Sequence, residues 1–479
     1  MSFLRSLAHK EMESRERTSV AYRYGEYALG LKFDELPSDA VHMAKRVLLD
    51  AMGCALGALE APGYPIIRDF AREFGGPAEA TLIGTGEKTS AFNATLVNSF
   101  LVRFLDFNDI GGGCHNTDAI SNLLAVAERQ KSNGEEFLTA LVASYELGIR
   151  FDIGRPGGRG WTRDLRASVS VPPAIGRLLG LDELQIANAI GVLASGTLPL
   201  GVLDVAGEER VMRKNLRFGW TAAYGIVACL LAKKNFTGPV RVIEGEEGIA
   251  EVLFGGNYDF EAATDFRGFG IVNTRFKSLA ACAALQGAIH ATLAVVREND
   301  IKPEDVAQVY IKIGSKNFLR PTIYSKYPRN AETADHSFYY TNAYAIAHRE
   351  MGPESAKETH FGDPTILDLM EKIHLSHDPK IPPYKKSGAL HFSEQGRDGK
   401  TEIILKDGRS FSKHVVTPHG FGNDPLTDRE LEEKFAGMAS RYMSFKQIQK
   451  IFDTIWSADK LEDMGQLMSQ LTATKNKPG

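Results

Sequence analysis

Up to about residue 275, apolar positions recur at the three-to-four-residue spacing of amphipathic helices. Val41, Val47, Leu48, Met52 and Leu56 form one stripe, with Ser38 placed to cap it. A second stripe runs through Leu96, Phe100 and Phe104 and ends near Asp106. A third opens at Asn116 or Thr117 and continues through Ile120, Leu123, Leu124 and Ala127. After about Lys277 the period changes. A helical stripe of Leu285, Ile289, Leu293 and Val296 leads through the polar segment Glu298 to Glu304 into VAQVYIKIG, where Val309, Ile311 and Ile313 alternate with polar or aromatic neighbours. That alternation predicts a half-buried strand. TEIILKDGRSFSKHVV places Asp407-Gly408 between two alternating runs, a hairpin signal. Beyond residue 416 the helical period returns, with capping-box patterns at Thr427-x-x-Glu430 and Ser444-x-x-Gln447. The expected architecture is therefore mainly α. A discontinuous helical domain spans residues 1–275 and 417–479, and a smaller α+β domain over 276–416 is inserted into it.

A chain of 479 residues, 43% hydrophobic and 24% charged, can bury a large core and is not a disordered composition. Its formal net charge of −4 supplies no field that would draw it to nucleic acid or an anionic membrane, although one basic pocket would still take an acidic metabolite. Cys54, Cys114, Cys229 and Cys282 form no CxxC pair, which argues against a disulfide framework and for a reducing compartment. The N-terminal residues mix acids and bases with no signal-type apolar run, so a cytoplasmic location is expected. The weakly charged stretch Ile186 to Leu203 is broken by Gly191, Gly196, Pro199 and Gly201 and reads as buried core rather than a membrane span.

The densest run of reactive side chains is DFNDIGGGCHNTD, from Asp106 to Asp118. It joins the end of one helix to the start of the next, and His115 stands just before a helix N-terminus, a setting that favours anions. A histidine there can exchange protons with a bound acid near neutral pH. The plain alternative is a glycine-rich loop whose acids cap helices. Asp106, Asp109, His115 and Asp118 match no metal-ligand spacing. Lys214, between Arg213 and Arg217, reads first as part of a solvated face; its other role is to stabilise charge developing on a carboxylate or enolate oxygen. Lys277 sits at a segment edge, where a cleft between domains is expected. Asp335-His336-Ser337 invites a triad reading, rejected because neighbours in one strand or helix do not face each other.

Five segments, in order, resemble the MmgE/PrpD family over nearly the whole chain. They are LLDAMGCALGAL, VNSFLVRFLDFNDI with CHNTDAISNLLAVAE, MRKNLRFGWTAAYGIVACLLAKKNFTGP, TRFKSLAACAALQGAI and AETADHSFYYTNAYAIA. That family includes 2-methylcitrate dehydratases, cis-aconitate decarboxylases and an iminodisuccinate epimerase. The resemblance implies a helical domain, a lid domain, a homodimer, and neither metal nor organic cofactor. Residue by residue, it implies that Asp106 and His115 line the active site, that Lys214 is the catalytic lysine, that Lys277 contacts substrate and that Tyr340 is an active-site tyrosine.

Three positions depart from the family pattern. Arg163 stands where members acting on tricarboxylates often carry a histidine. Cys282 replaces a second histidine five residues after Lys277 in the substrate pocket, and is either a reactive thiol or, the better reading, a small apolar filler. Ile110 replaces a threonine. Arginine cannot shuttle protons near pH 7 but clamps carboxylates in bidentate fashion. The expected function is a hydro-lyase on a hydroxylated di- or tricarboxylic acid. Lys277 and Arg163 would bind carboxylates, Lys214 would stabilise the enolate, His115 oriented by Asp106 would move the proton, and Tyr340 would assist the leaving hydroxyl. A decarboxylase or epimerase on the same scaffold, and a non-catalytic carboxylate binder, are the alternatives.

Overall fold

Helices that are apolar on every side must be buried on every side, and several here are. In Ala91–Phe104 all residues but Phe92 are buried, and in Gly134–Gly154 seventeen of the 21 are. These two pack with Ser38–Gly57, Asp118–Gln130, Ala167–Leu179, Glu183–Ala194 and Arg217–Ala232 into one large core. The computed structural model describes residues 2–111, 116–155, 160–205, 207–316, 319, 322–382 and 397–475. Among them the fold is mainly α, with two small sheets. No helix among the described residues is long and apolar enough to cross a membrane.

The C-terminal helices Asp428–Ala439 and Phe445–Trp456 return to this core, burying Leu431, Phe435, Met438, Ile448, Phe452 and Ile455. Thr427 and Glu430 form the expected capping box, and Ser444 accepts from the Gln447 N–H. Close approach is set by small residues: a Cβ on Gly53 would stand 3.0 Å from both Phe435 and Met438 side chains. A hairpin of β1 (Ala80–Thr81) and β2 (Lys88–Thr89) lies at the edge of the same unit.

A second core is built from residues 279–405. Strand β3 (Val306–Ile313) pairs in parallel with β4 (Ile373–His377) and antiparallel with β5 (Gly399–Leu405), which pairs with β6 (Ser410–Val415) across the Asp407-Gly408 turn. Gly408 takes φ +91°, the left-handed geometry that glycine adopts without strain. Val309, Ile311 and Ile313 face the helices Gln286–Glu298, Phe338–His348 and Pro364–Glu371, while Tyr310 points outward and stacks on His374. Helix and strand touch through backbone, because a Cβ on Gly287 would lie 2.0 Å from the Arg397 carbonyl oxygen.

Several expectations are corrected. Ser38 is the first residue of its helix rather than its cap; Pro37 holds the cap position. The helix expected at Asn116 or Thr117 begins at Asp118, one residue later than the nearer guess. The stretch Ile186 to Leu203 is core only in part. Ile186, Ile190 and Leu193 are buried, whereas Leu200 and Val202 are more than half exposed on a 3-10 turn beyond the helix end.

Candidate active site

Where the helix Ala91–Phe104 ends, Asp106 adopts φ +44°, a left-handed conformation that Asp tolerates better than most residues. The chain then bends through Asn108 to Ile110, which forms a two-way backbone bridge with Arg275: Ile110 N–H donates to Arg275 O at 2.8 Å and Arg275 N–H to Ile110 O at 3.1 Å. This bridge is the structural role of the position where the family pattern has threonine, and it sets Lys277 beside Asp106. The Lys277 Nζ donates to the Asp106 carboxylate at 2.7 Å and to its carbonyl at 2.5 Å. Arg103 donates to the same carboxylate oxygen at 2.6 Å. Lys434, on the returning C-terminal helix, donates to the carbonyls of Phe107 and Lys277 at 2.7 and 2.9 Å and so clamps both segments.

Lys214 is not on a solvated face. The 3-10 turn Met212–Leu216 carries it inward to zero exposure, and its Nζ donates to Asp335 Oδ2 at 2.5 Å. A buried ammonium requires such a partner. An ammonium has three N–H donors; this bond uses one on Lys214, and Asp106 uses two on Lys277.

Asp335 and His336 occupy the turn between the short helix Ala331–Ala334 and the helix Phe338–His348. The objection that adjacent residues in one strand or helix cannot face each other fails here, because they lie in neither. His336 Nδ1 is 2.5 Å from Asp335 Oδ1, so Nδ1 carries the proton and Nε2 faces inward. That Nε2 lies 3.7 Å from Asp106 and 3.6 Å from Asp204. The serine triad is still excluded: the Ser337 hydroxyl donates to Ser325 O and caps the next helix. His336, Asp335, Asp204 and Arg103 were missed from the sequence. The ADHSFYY segment had already been singled out, but its tyrosine was chosen over its histidine.

Burial alone would push the Asp106 carboxyl up, but Lys277, Arg103 and Lys214 outweigh it and hold Asp106 well below the usual range. Asp204 is likewise held low against its burial by Arg217, His336 and Arg210. Burial disfavours the charged form of His336, yet Cys282 and Asp335 raise it above an ordinary imidazole. The site therefore holds fixed anions and cations in a dry setting where each counts for more than in water.

The remaining expected site residues divide. Arg163, half-buried, opens the 3-10 turn Arg163–Arg166; its neighbour Asp164 pairs with Arg217 at 2.9 Å, Arg217 with Asp204 at 2.7 Å, and Asp204 faces His336. Cys282 joins the cluster from the second core. Tyr340 does not join it. Its hydroxyl donates to the Ser355 carbonyl at 2.6 Å and its ring packs on Phe361 within the second core, so this arrangement offers no proton to a leaving hydroxyl. His115 lies outside the described residues. Asp109, adjacent to the cluster, instead accepts from the Tyr145 hydroxyl at 2.6 Å.

Donor atoms of Asp106, Cys282 and His336 lie within 4.8 Å of one another, a set that could hold a metal ion. Lys277 and Arg103 already neutralise Asp106, and Lys214 acts on both Asp106 and His336. The electrostatics favour an anionic guest over a dication. A groove of about 760 Å³ lies elsewhere, between Met12, Trp161, Pro239 and Val252, and none of the cluster's ionisable residues lines it.

Residues 23–261 match the MmgE/PrpD N-terminal domain and residues 279–458 the MmgE/PrpD C-terminal domain. A cis-aconitate decarboxylase of Aspergillus terreus is 22% identical over 98% of this chain and 100% of its own length. The cis-aconitate decarboxylase of Homo sapiens is 22% identical over 92% of each chain. The 2-methylcitrate dehydratase of Escherichia coli is 24% identical over 89% of this chain and 91% of its own.

Proposed function

The chain belongs to the MmgE/PrpD family, and on that premise we propose that it is a cofactor-independent lyase, a hydratase or dehydratase of a small di- or tricarboxylic acid. The observation that carries this reading is the meeting of two buried lysines, Lys214 and Lys277, with His336 and Asp106 where the two cores join. Removing a proton from carbon beside a carboxylate builds charge on the carboxylate oxygens, and preorganised ammonium groups are what that charge needs. Lys277 and Arg163 bind substrate carboxylates, and Lys214 stabilises the enolate-like intermediate with its two remaining donors. Asp106 positions Lys277 and the imidazole. His336 is the described residue placed to move the proton; His115 keeps a proton-transfer role on the strength of the family segment alone. Lys214, Lys277 and Asp106 are almost wholly buried, so residues 276–416 act as a lid that parts from the helical domain to admit the acid.

Decarboxylation on the same site is the second reading, favoured by the fuller coverage of this chain by cis-aconitate decarboxylases than by the dehydratases. Epimerisation would use the same carbanion. The protein works as a cytoplasmic homodimer. Exposed Leu200, Val202, Val205, Val211 and Met212 supply an apolar surface for a second copy, and the described cysteines are free thiols. Purified protein incubated with citrate, 2-methylcitrate, cis-aconitate and malate, followed by mass spectrometry, tests the reading. Gain or loss of one water is expected, release of carbon dioxide selects the second reading, and inertness toward every acid rejects both. Light scattering tests the dimer, which a monomeric mass contradicts.

A further inference from the structure

We infer that Cys282 is a catalytic acid–base residue of this site, forming with His336 a pair that takes the proton from the carbon beside a substrate carboxylate. The inference rests on the lyase reading and adds to it a residue that the sequence presents as apolar filler.

The geometry distinguishes this thiol from the other described cysteines. Cys54 and Cys229 have zero exposure and lie inside the large helical core, and burial pushes both thiols well up. Cys282 is only half-buried, and its sulfur, the Asp106 carboxylate and the His336 ring lie within 4.8 Å of one another. Its backbone is tied to the histidine turn itself, the Cys282 N–H donating to Asp335 O at 2.9 Å. A second bond, from Leu285 N–H to Cys282 O at 2.9 Å, fixes it at the entry to the helix Gln286–Glu298. The Asp335 carboxylate on Nδ1 turns Nε2 of His336 toward the cluster. Cysteine, histidine and aspartate thus stand in the order that activates a thiol.

The charged groups around the pair come from every element packed against it. Lys277, five residues before Cys282 on its own segment, favours the thiolate, and Asp106 faces the thiol from the helical domain and opposes it. Lys214, Arg210 and Asp204 face the imidazole from the same domain, and Asp335 faces it from its own turn. Burial works against ionising Cys282, but His336 and Lys277 outweigh it and set the thiol below its ordinary value, while His336 is raised. Each group thus favours the charged form of the other, imidazolium beside the thiol and thiolate beside the imidazole.

The step balances without a co-reactant. The thiolate takes the α-proton, so the C–H bond breaks, an S–H bond forms and the electron pair passes into the enolate held by Lys214 and Lys277. That pair then expels the β-hydroxyl, which accepts the imidazolium proton and leaves as water. Thiol and neutral imidazole remain, and one proton transfer between them restores the starting pair.

The test combines turnover with thiol chemistry on the full-length protein. Cys282→Ser and Cys282→Ala are expected to lower kcat by about a hundredfold to ten-thousandfold with KM and melting temperature little changed. Iodoacetamide labelling of Cys282, read by peptide mass spectrometry across pH, is expected to be fast at neutral pH in the wild type. Its midpoint should move upward in His336→Gln, and a saturating acid substrate should slow it. This second readout needs no variant at Cys282 itself. Wild-type turnover in Cys282→Ala, or labelling with the same pH midpoint in His336→Gln, overturns the proposal and leaves the lyase reading standing. Activity lost to a chelator and restored by zinc also overturns it, making the trio a metal site. A wild-type protein inert to every acid removes the lyase reading and this proposal with it.

Discussion

Replacing Asp106 with asparagine removes one charge from the centre of the cluster and almost nothing else. The amide oxygen can keep the bonds now made by Arg103 at 2.6 Å and Lys277 at 2.7 Å, and asparagine accepts the left-handed φ of +44° readily. Two changes follow. Lys277, with zero exposure, loses its compensating anion, and the new amide N–H points toward His336 Nε2, 3.7 Å from the present oxygen. Breaking a buried ion pair from one side costs about 3–5 kcal/mol, and the conserved shape places Asp106→Asn near the lower end, about 3 kcal/mol. For 479 residues unfolding together, the unfolding entropy is about 1 kcal/mol per degree, so the melting temperature should fall by about 3 °C. Asp106→Ala should fall further, by about 1–2 kcal/mol more, because alanine resists the left-handed backbone. Calorimetry of Asp106→Asn, Lys277→Met and the double variant gives the coupling directly. The double variant should cost less than the sum of the singles. Melting of Asp106→Asn within 1 °C of wild type, with strictly additive costs, would refute the ion-pair account of this cluster.

Asp109 should make the protein lose stability toward alkaline pH. Burial and the charge of Asp50 raise its carboxyl to about 8, so its contribution is fully present below about pH 4 and fades as pH rises through 8. Asp109→Asn should flatten the stability profile between pH 5 and 9 by on the order of a few kcal/mol, checked by denaturant unfolding; an unchanged slope counts against it. Gly287→Ala must force helix and strand apart, since the added carbon would sit 2.0 Å from the Arg397 carbonyl. A loss of roughly 1–3 kcal/mol is expected in thermal unfolding, and a neutral result would mean that the two elements do not touch as described.

The helical periods, the alternation in β3, the Asp407-Gly408 hairpin and the Thr427 capping box were all legible in the sequence, because each is a local pattern with a local physical cause. The lysines were legible only through family resemblance. By residue type Lys214 reads as surface, and nothing local announces that a 3-10 turn will carry it to Asp335, 121 residues away. His336 was misjudged for a related reason. The rule that adjacent side chains diverge holds within regular elements, and the turn between two helices releases it. Tyr340 shows the reverse case, a residue type suited to catalysis whose hydroxyl donates to a backbone carbonyl in this structure. Cys282 looked apolar because its surroundings come from segments far along the chain.

The claim at the centre of this account is that the buried lysine, histidine and aspartate cluster is the place where a polycarboxylic acid is turned over. Steady-state rates of wild type and Lys214→Met on the same acid, with melting temperatures taken alongside, test it most directly. The account predicts product differing from substrate by one water in the wild type, and a rate at least about a hundredfold lower in a Lys214→Met protein that still melts cooperatively. Equal rates in the two proteins would contradict it.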